Sequence, residues 1–268
     1  MKKLLFFLVI LSLLLSCSLN KQSDEASIDN IIYSLKNSLL VIYDQEEEST
    51  KSKSYIEPFL WYRAPSMTDS LTYTVDVNVS KDSAFATIKI ILPGNMNIWY
   101  MDSTNDTVKI VKEYVDTLLR YCFFKKDTVK DFHNGWRLVK ITDTYFYTKN
   151  PPEVKIDSIK LYAQNIIDTI IKMDTIYYEK NRILSIPSGT YLNITLFSTD
   201  STSRFFVHTG LRRVELSLNS QNNFSVDLRM PLIKKRYKLV IDGFTEGSLN
   251  DDSLPYSSRG LILPYIVE

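Results

Sequence analysis

The sequence predicts an α+β half followed by an all-β half, and three observations carry that expectation. Ile28, Ile31, Ile32, Leu35, Leu39 and Ile42 recur at three- and four-residue steps, the spacing of one apolar helix face. From Tyr73 the period drops to two: Tyr73, Val75, Val77 and Val79 alternate with Thr72, Thr74, Asp76 and Asn78, as a strand with one buried face requires. Beyond Asn150-Pro151-Pro152 the same alternation returns in five short runs separated by polar or Gly/Asn/Pro turns, the spacing of an antiparallel sandwich.

The chain opens on Met-Lys-Lys, a run from Leu4 to Leu15 that is apolar except for Ser12, and then Ser16-Cys17. This run is shorter than the roughly 20 apolar residues of a transmembrane helix. Two lysines ahead of an apolar core, ended by Leu14-Leu15-Ser16-Cys17, resemble a bacterial lipoprotein export signal cleaved just before its cysteine. The resemblance implies removal of residues 1–16, acylation of Cys17, and a durable anchor, since each buried CH₂ contributes about 0.8 kcal/mol. The polar stretch to Ala26 (residues 17–26) then reads as a tether. Losing the signal's two lysines from the chain's 32 Lys and Arg leaves 30, against 31 Asp and Glu. That balance provides no overall excess of positive charge for nucleic acid or an anionic membrane face.

The helix expected over 28–42 has Asp24 and Glu25 upstream, where negative charge suits an N-terminus, and the acidic run Asp44–Glu48 ends it. Tyr55–Tyr62 reads as a second short helix or a packed loop. The strand from Tyr73 turns at Ser80-Lys81-Asp82-Ser83 into Ala86, Ile88, Ile90 and Leu92, a hairpin that Pro93-Gly94-Asn95 is expected to break before a further strand at Asn97–Met101. Val108–Phe124, rich in β-branched and aromatic residues, reads as a long bent strand containing Cys122 as a small core residue. Asn134-Gly135 marks a turn and Trp136–Tyr147 the returning strand. The paired prolines set the boundary between a first domain, 27–149, and a second, 153–268. In the second, Lys155–Leu161 supplies the first strand, and Ile166–Tyr178 is open between helix and strand. Runs at Leu192/Ile194/Leu196, Phe205/Val207, Val214/Leu216/Leu218, Phe224–Met230 and Tyr237/Leu239/Ile241 supply the rest.

A helix, a short second helix and a curved sheet closing on Asn134-Gly135-Trp136-Arg137-Leu138-Val139-Lys140-Ile141 resemble the nuclear-transport-factor-2-like cone, with its SnoaL and ketosteroid-isomerase relatives. The resemblance implies a helix-wrapped antiparallel sheet around a pocket. Residues 153–268, with the turn Ile186-Pro187-Ser188-Gly189-Thr190-Tyr191 and the strand Arg236–Asp242, resemble an immunoglobulin-like or fibronectin-type sandwich that lacks the Cys…Trp…Cys core. Modules of that kind in exported proteins space, display or bind.

Little in the sequence points to catalysis. The two histidines, His133 before a turn and His208 at the end of Phe205-Phe206-Val207, read as solvated or edge-capping groups, and no zinc-ligand spacing exists. The seven glycines form no phosphate-binding loop, so no cofactor is implied. Asp242, Glu246, Asp251 and Asp252 place oxygens near one another, as calcium needs, but equally describe an acidic loop. Lys234-Lys235-Arg236 and Arg212-Arg213 read as charges that blunt strand edges. If the cone holds a pocket, Asp76 and Asn78 project from the face opposite Tyr73 and Val75, to meet Tyr62, Trp99 or Tyr121. There a desolvated carboxylate would serve proton transfer. The expected function is a lipid-anchored envelope protein, on the outer rather than the inner membrane, that binds or scaffolds. Its partners would be the membrane through Cys17 and a protein or small apolar ligand. The alternatives are an apolar-ligand pocket in the first domain and an isomerase- or hydratase-like enzyme there.

Overall fold

A computed structural model describes residues 23–34, 60–66, 71–102, 104–127, 132–149, 154–164, 166–173, 178–179, 184–208, 213–221 and 223–268. Strands hold 64% of these residues and helices about 10%, in two short segments, so the chain is mostly β in both halves. The expected α+β, helix-wrapped cone is therefore corrected.

The first element is helix α1 (Asp24–Ser34), whose N-terminal N–H groups are capped by Ser23: its Oγ accepts from Ala26 N at 3.1 Å. Asp24 and Glu25 occupy the first turn, as the charge argument required. Ile28, Ile31 and Ile32 are buried; Leu35, Leu39 and Ile42 lie outside the described residues. The chain continues through β1 (Leu60–Pro65), β2 (Thr72–Ser80), β3 (Ser83–Met101), β4 (Thr107–Lys126), β5 (Trp136–Ile141) and β6 (Thr144–Thr148). Of the segment Tyr55–Tyr62, expected as a short helix or a packed loop, residues 60–62 belong to strand β1 and residues 55–59 lie outside the described residues.

Strand β3 runs unbroken through Pro93-Gly94. The reason lies in its neighbours. On one side β4 pairs along its whole length; on the other, β2 pairs up to Ile91 and β1 takes over at Gly94. Pro93 falls in the gap between them, its carbonyl accepting from Ser66 N at 2.8 Å, so the missing N–H breaks no ladder bond on that side. The turn before β5 needs His133 and Asn134 at φ 51° and 52°, and Gly135 at φ 82°.

Beyond residue 153 come β7 (Ser158–Ala163), β8 (Ile167–Lys172), β9 (Tyr178–Glu179), β10 (Leu184–Ile186), β11 (Tyr191–Phe197), β12 (Arg204–His208), β13 (Arg213–Glu215), β14 (Ser217–Leu218) and β15 (Phe224–Arg229). The chain ends with β16 (Arg236–Phe244), helix α2 (Glu246–Asn250) and β17 (Ser258–Val267). In the segment Ile166–Tyr178, open between helix and strand, residues 167–172 form β8 and Tyr178 begins β9, while residues 174–177 lie outside the described residues. Among the described residues β7, β8, β11, β14 and β15 form one sheet; the other, much larger sheet follows the path β1-β3-β4-β6-β17-β16-β12-β13. Its strands come from both sides of the paired prolines, joined where β17 pairs with β6.

Alternation assigns each face of this sheet a core. The outward residues Tyr145, Phe205, Val207, Leu239, Ile241, Leu261 and Leu263 pack against Leu161, Ile171, Ile194 and Leu228 of the smaller sheet, a sandwich-like arrangement of two apolar faces. The inward residues line the concave side in three successive clusters. Helix α1 covers Ala84, Ala86, Ile88, Cys122 and Phe124 at one end. Ile90, Leu92, Leu118, Phe146, Val240 and Ile262 fill the middle. At the far end Trp61, Met96, Ile98 and Tyr114 meet Phe206, Phe244, Leu249 and Tyr256. The concavity, which helices would cover in a cone, is filled there by the chain's own later strands, and this is the physical reason the cone expectation fails.

Candidate functional site

The far end of the concavity holds the chain's chief concentration of buried charge among the described residues. Strand alternation brings it about: Arg63 on β1, Asp116 on β4, Asp242 on β16 and His208 on β12 all point inward. Arg213, paired with His208 across the β12–β13 ladder, joins them. Each of these groups, with Tyr114, Tyr256 and Ser258, is at most 8% exposed.

Arg63 is the hub. Its Nη1 and Nη2 donate to the two oxygens of Asp242 at 2.5 and 2.8 Å, a bidentate pairing that only a guanidinium makes. Its Nε donates to the Tyr256 hydroxyl at 2.6 Å and lies 3.8 Å from Asp116 Oδ2. Tyr256 in turn donates to Asp116 Oδ2 at 3.1 Å, and Ser258 Oγ lies 2.7 Å from the same hydroxyl. The guanidinium carbon stands 4.9 Å from the Phe244 ring centre and 5.4 Å from that of Phe146. Gly260 is required here, because a Cβ would collide with the Phe146 ring.

A second guanidinium closes the curl. Arg213, on the edge strand β13, lies with its central carbon 3.3 Å from the Trp61 ring centre and donates from Nη1 to the Trp61 carbonyl at 2.9 Å. The two ends of the long sheet are thus joined by a side chain. Arg213 Nε donates to His208 Nε2 at 3.4 Å, and that nitrogen lies 3.6 Å from Asp242 Oδ2. Burial, with Arg213 and Arg63 alongside, holds the His208 imidazole well below its ordinary value, so the ring is neutral at pH 7. Burial pushes the Asp242 carboxyl upward while the Arg63 fork and Arg213 pull it back. Burial likewise raises the Tyr256 and Tyr114 hydroxyls. The Tyr114 hydroxyl has no hydrogen-bond partner among the described residues and lies against Gly94, where a Cβ would come within 2.6 Å of it. Arg63 with Asp242, and Arg213 with His208, bond to one another out of reach of water, an arrangement suited to holding strands together.

Several expectations change accordingly. His208 is buried in the network, not solvated or capping an edge. Asp242 is held by Arg63, and the acidic loop is instead fastened by Lys112, whose Nζ donates to the carbonyls of Gly247, at 2.9 Å, and of Asp251. Arg213 stacks inside the curl. Cys122, by contrast, is the core residue expected, fully buried, with burial pushing its thiol up to about 12.

The residues expected to line a pocket share the outward face of β1–β4. Tyr62 and Trp99 stack on one another, ring centres 5.3 Å apart, with Lys109 Nζ 4.9 Å from the Trp99 ring centre. Asp76 lies in register with Tyr121 through Thr87, and Asn78 with Phe123 through Phe85. Asp76 and Asn78 are exposed, whereas Tyr121 packs toward the sandwich core. The structure therefore brings Tyr62 to Trp99 and leaves the carboxylate in solvent. Cys17 lies outside the described residues.

The sequence reading missed Arg63 altogether, and a signal for its partner was present. Val240-Ile241-Asp242-Gly243-Phe244 is apolar on both parities, the pattern of a strand buried on both faces, and a carboxylate within such a strand requires a cation. Comparison with protein-family models, with curated proteins and with solved structures finds no match.

Proposed function

We propose that this chain is a lipid-anchored protein of the bacterial envelope, held through acylated Cys17, whose role is to bind or scaffold without catalysis. The observation that supports the non-catalytic reading is the inward pairing of Arg63, Asp116, Asp242 and His208, which commits the buried acid–base groups to closing the sheet. A binding role draws on the outward face of β3 and β4. There Phe85 is half exposed and its ring lies 4.9 Å from that of Phe123, beside the polar row Asn78, Asp76 and Thr87. The outer membrane is the favoured location, because Ser18 follows the acylated cysteine where an aspartate would signal inner-membrane retention.

Radiolabelled palmitate and membrane sedimentation test the anchor. Wild type is expected to be labelled and to sediment, and Cys17→Ala to be neither; an unlabelled wild type overturns the anchor. A photocrosslinking residue at Phe85 in living cells tests the binding role. A discrete adduct is expected, and the free chain alone under all growth conditions overturns it.

A further inference from the structure

The near-neutral overall charge conceals one local concentration of cations. At the end of the sandwich where β15 turns into β16, Met230-Pro231-Leu232-Ile233-Lys234-Lys235 forms a projecting bend. Leu232 and Ile233 are 70% and 68% exposed, unusual for two adjacent aliphatic side chains at a loop tip. Arg229, Lys234, Lys235 and Arg236 flank them, all exposed, and Tyr191, in register with Arg229, adds a ring that is 63% exposed. Asp227, bonded to Asn193, and Glu268 are acidic residues near the same end, so cations still outnumber acids there.

The bend is fastened to the fold. Tyr237 donates its hydroxyl to the Ile233 carbonyl at 2.9 Å, Val267 N donates to the Lys235 carbonyl at 2.9 Å, and Met230 N donates to the Thr190 carbonyl at 2.8 Å. Leu232 leans over Gly189, in the adjoining turn at φ 71°, where a Cβ would stand 3.2 Å from it. Exposure of the apolar pair is therefore built into the loop.

We propose that this loop is a second membrane contact, at which Leu232 and Ile233 enter the headgroup region of an anionic bilayer while Arg229, Lys234, Lys235 and Arg236 bind its phosphates. An aliphatic tip ringed by cations matches the two layers of such a surface, apolar beneath and negative above. A protein groove would satisfy the aliphatic pair but gives no reason for cations on both sides of it. The inference does not depend on acylation of Cys17.

The test uses the full chain with Cys17→Ser and Ile233→Cys, spin-labelled at 233; buried Cys122 stays unlabelled. Vesicles of each composition are supplied in large excess over the chain, so the label reports whether the loop touches lipid. On vesicles containing phosphatidylglycerol, collisions with oxygen should rise several-fold relative to those with a nickel chelate. On pure phosphatidylcholine they should not, and Lys234→Glu/Lys235→Glu should return the label to its aqueous value. A matching label at Asn78 should remain aqueous. Aqueous values at 233 on both vesicles, equal lipid contact on both, or lipid contact at Asn78 as well would each overturn the proposal. So would protection of position 233 by an envelope protein fraction alone, which would assign the loop to a protein partner.

Discussion

Replacing Arg63 with Met keeps an unbranched apolar stem of similar length and deletes the guanidinium. The hydrogen bonds to both oxygens of Asp242 and to Tyr256 disappear, and Asp242 is left fully buried beside the neutral imidazole of His208 and Arg213. Breaking a buried pair in this way costs about 3–5 kcal/mol, because the stranded charge must be protonated or hydrated. Against a total stability of about 5–15 kcal/mol that is a large fraction. With an m-value of about 2.5 kcal/mol/M, the urea midpoint should fall by about 1.5 M. Asp242→Asn should cost less, since Arg63 still faces Asp116. The double variant should be more stable than the sum of the single effects by about 2 kcal/mol, the coupling expected of groups in direct contact. Urea titrations followed by tryptophan fluorescence read all three, with Trp61 and Trp136 buried in the native state. An Arg63→Met variant within about 1 kcal/mol of wild type, or single effects that simply add, would refute the claim that this pair holds the curl closed.

Two further outcomes follow from the same site. The imidazole of His208 lies below its ordinary value of 6.5 when folded, so the unfolded chain takes up the proton first as pH falls. Stability is therefore full above that value and should drop by about 1 kcal/mol between pH 7 and 5.5. Urea midpoints across this range should fall less for His208→Gln, and equal falls would show that His208 does not titrate as described. Tyr114→Phe removes a buried hydroxyl that has no partner among the described residues and should raise thermal stability by about 1 kcal/mol. Gly94→Ala forces a methyl against that hydroxyl and the Ala64 carbonyl and should lower stability by about 1–3 kcal/mol, a loss Tyr114→Phe partly relieves. Calorimetry of the two single variants and the double decides this.

Which parts of the fold were legible depended on how local their cause is. The α1 helix, the β2–β3 hairpin and the alternating runs from Leu192 to Ile241 follow from periodicity, which tells each residue which face it occupies. Periodicity does not tell a strand its partner. The pairing of β6 with β17 joins residues more than a hundred positions apart, and nothing near Tyr145 or Leu261 announces it. Without it the first half looked like a sheet needing helices to cover its concave face, hence the cone. Pro93 misled for a related reason: whether a missing N–H matters depends on what lies beside the strand at that point. The charge cluster stayed hidden because its members are scattered from Arg63 to Asp242, although the doubly apolar strand around Asp242 announced that a cation must lie somewhere. Tyr62, Trp99 and Tyr121 were expected inside a pocket, whereas they lie on the outward face of the sheet, where Tyr62 stacks on Trp99.

The placement of β17 bears on the order in which the molecule can assemble. This strand, residues 258–267, lies in the middle of the large sheet, between β6 and β16, although it is the last of the described strands along the chain. Until it is in place, β4 can pair with β6 and β12 with β16, but nothing joins the two sets, and the Arg63–Asp242 contact must span 179 residues of chain. Long-range closure of this kind is slow, and the waiting strands leave apolar edges uncovered. Closure of the sheet therefore depends on this strand, and deleting residues 258–267 would part β6 from β16 and leave β10 without its partner strand instead of trimming a margin.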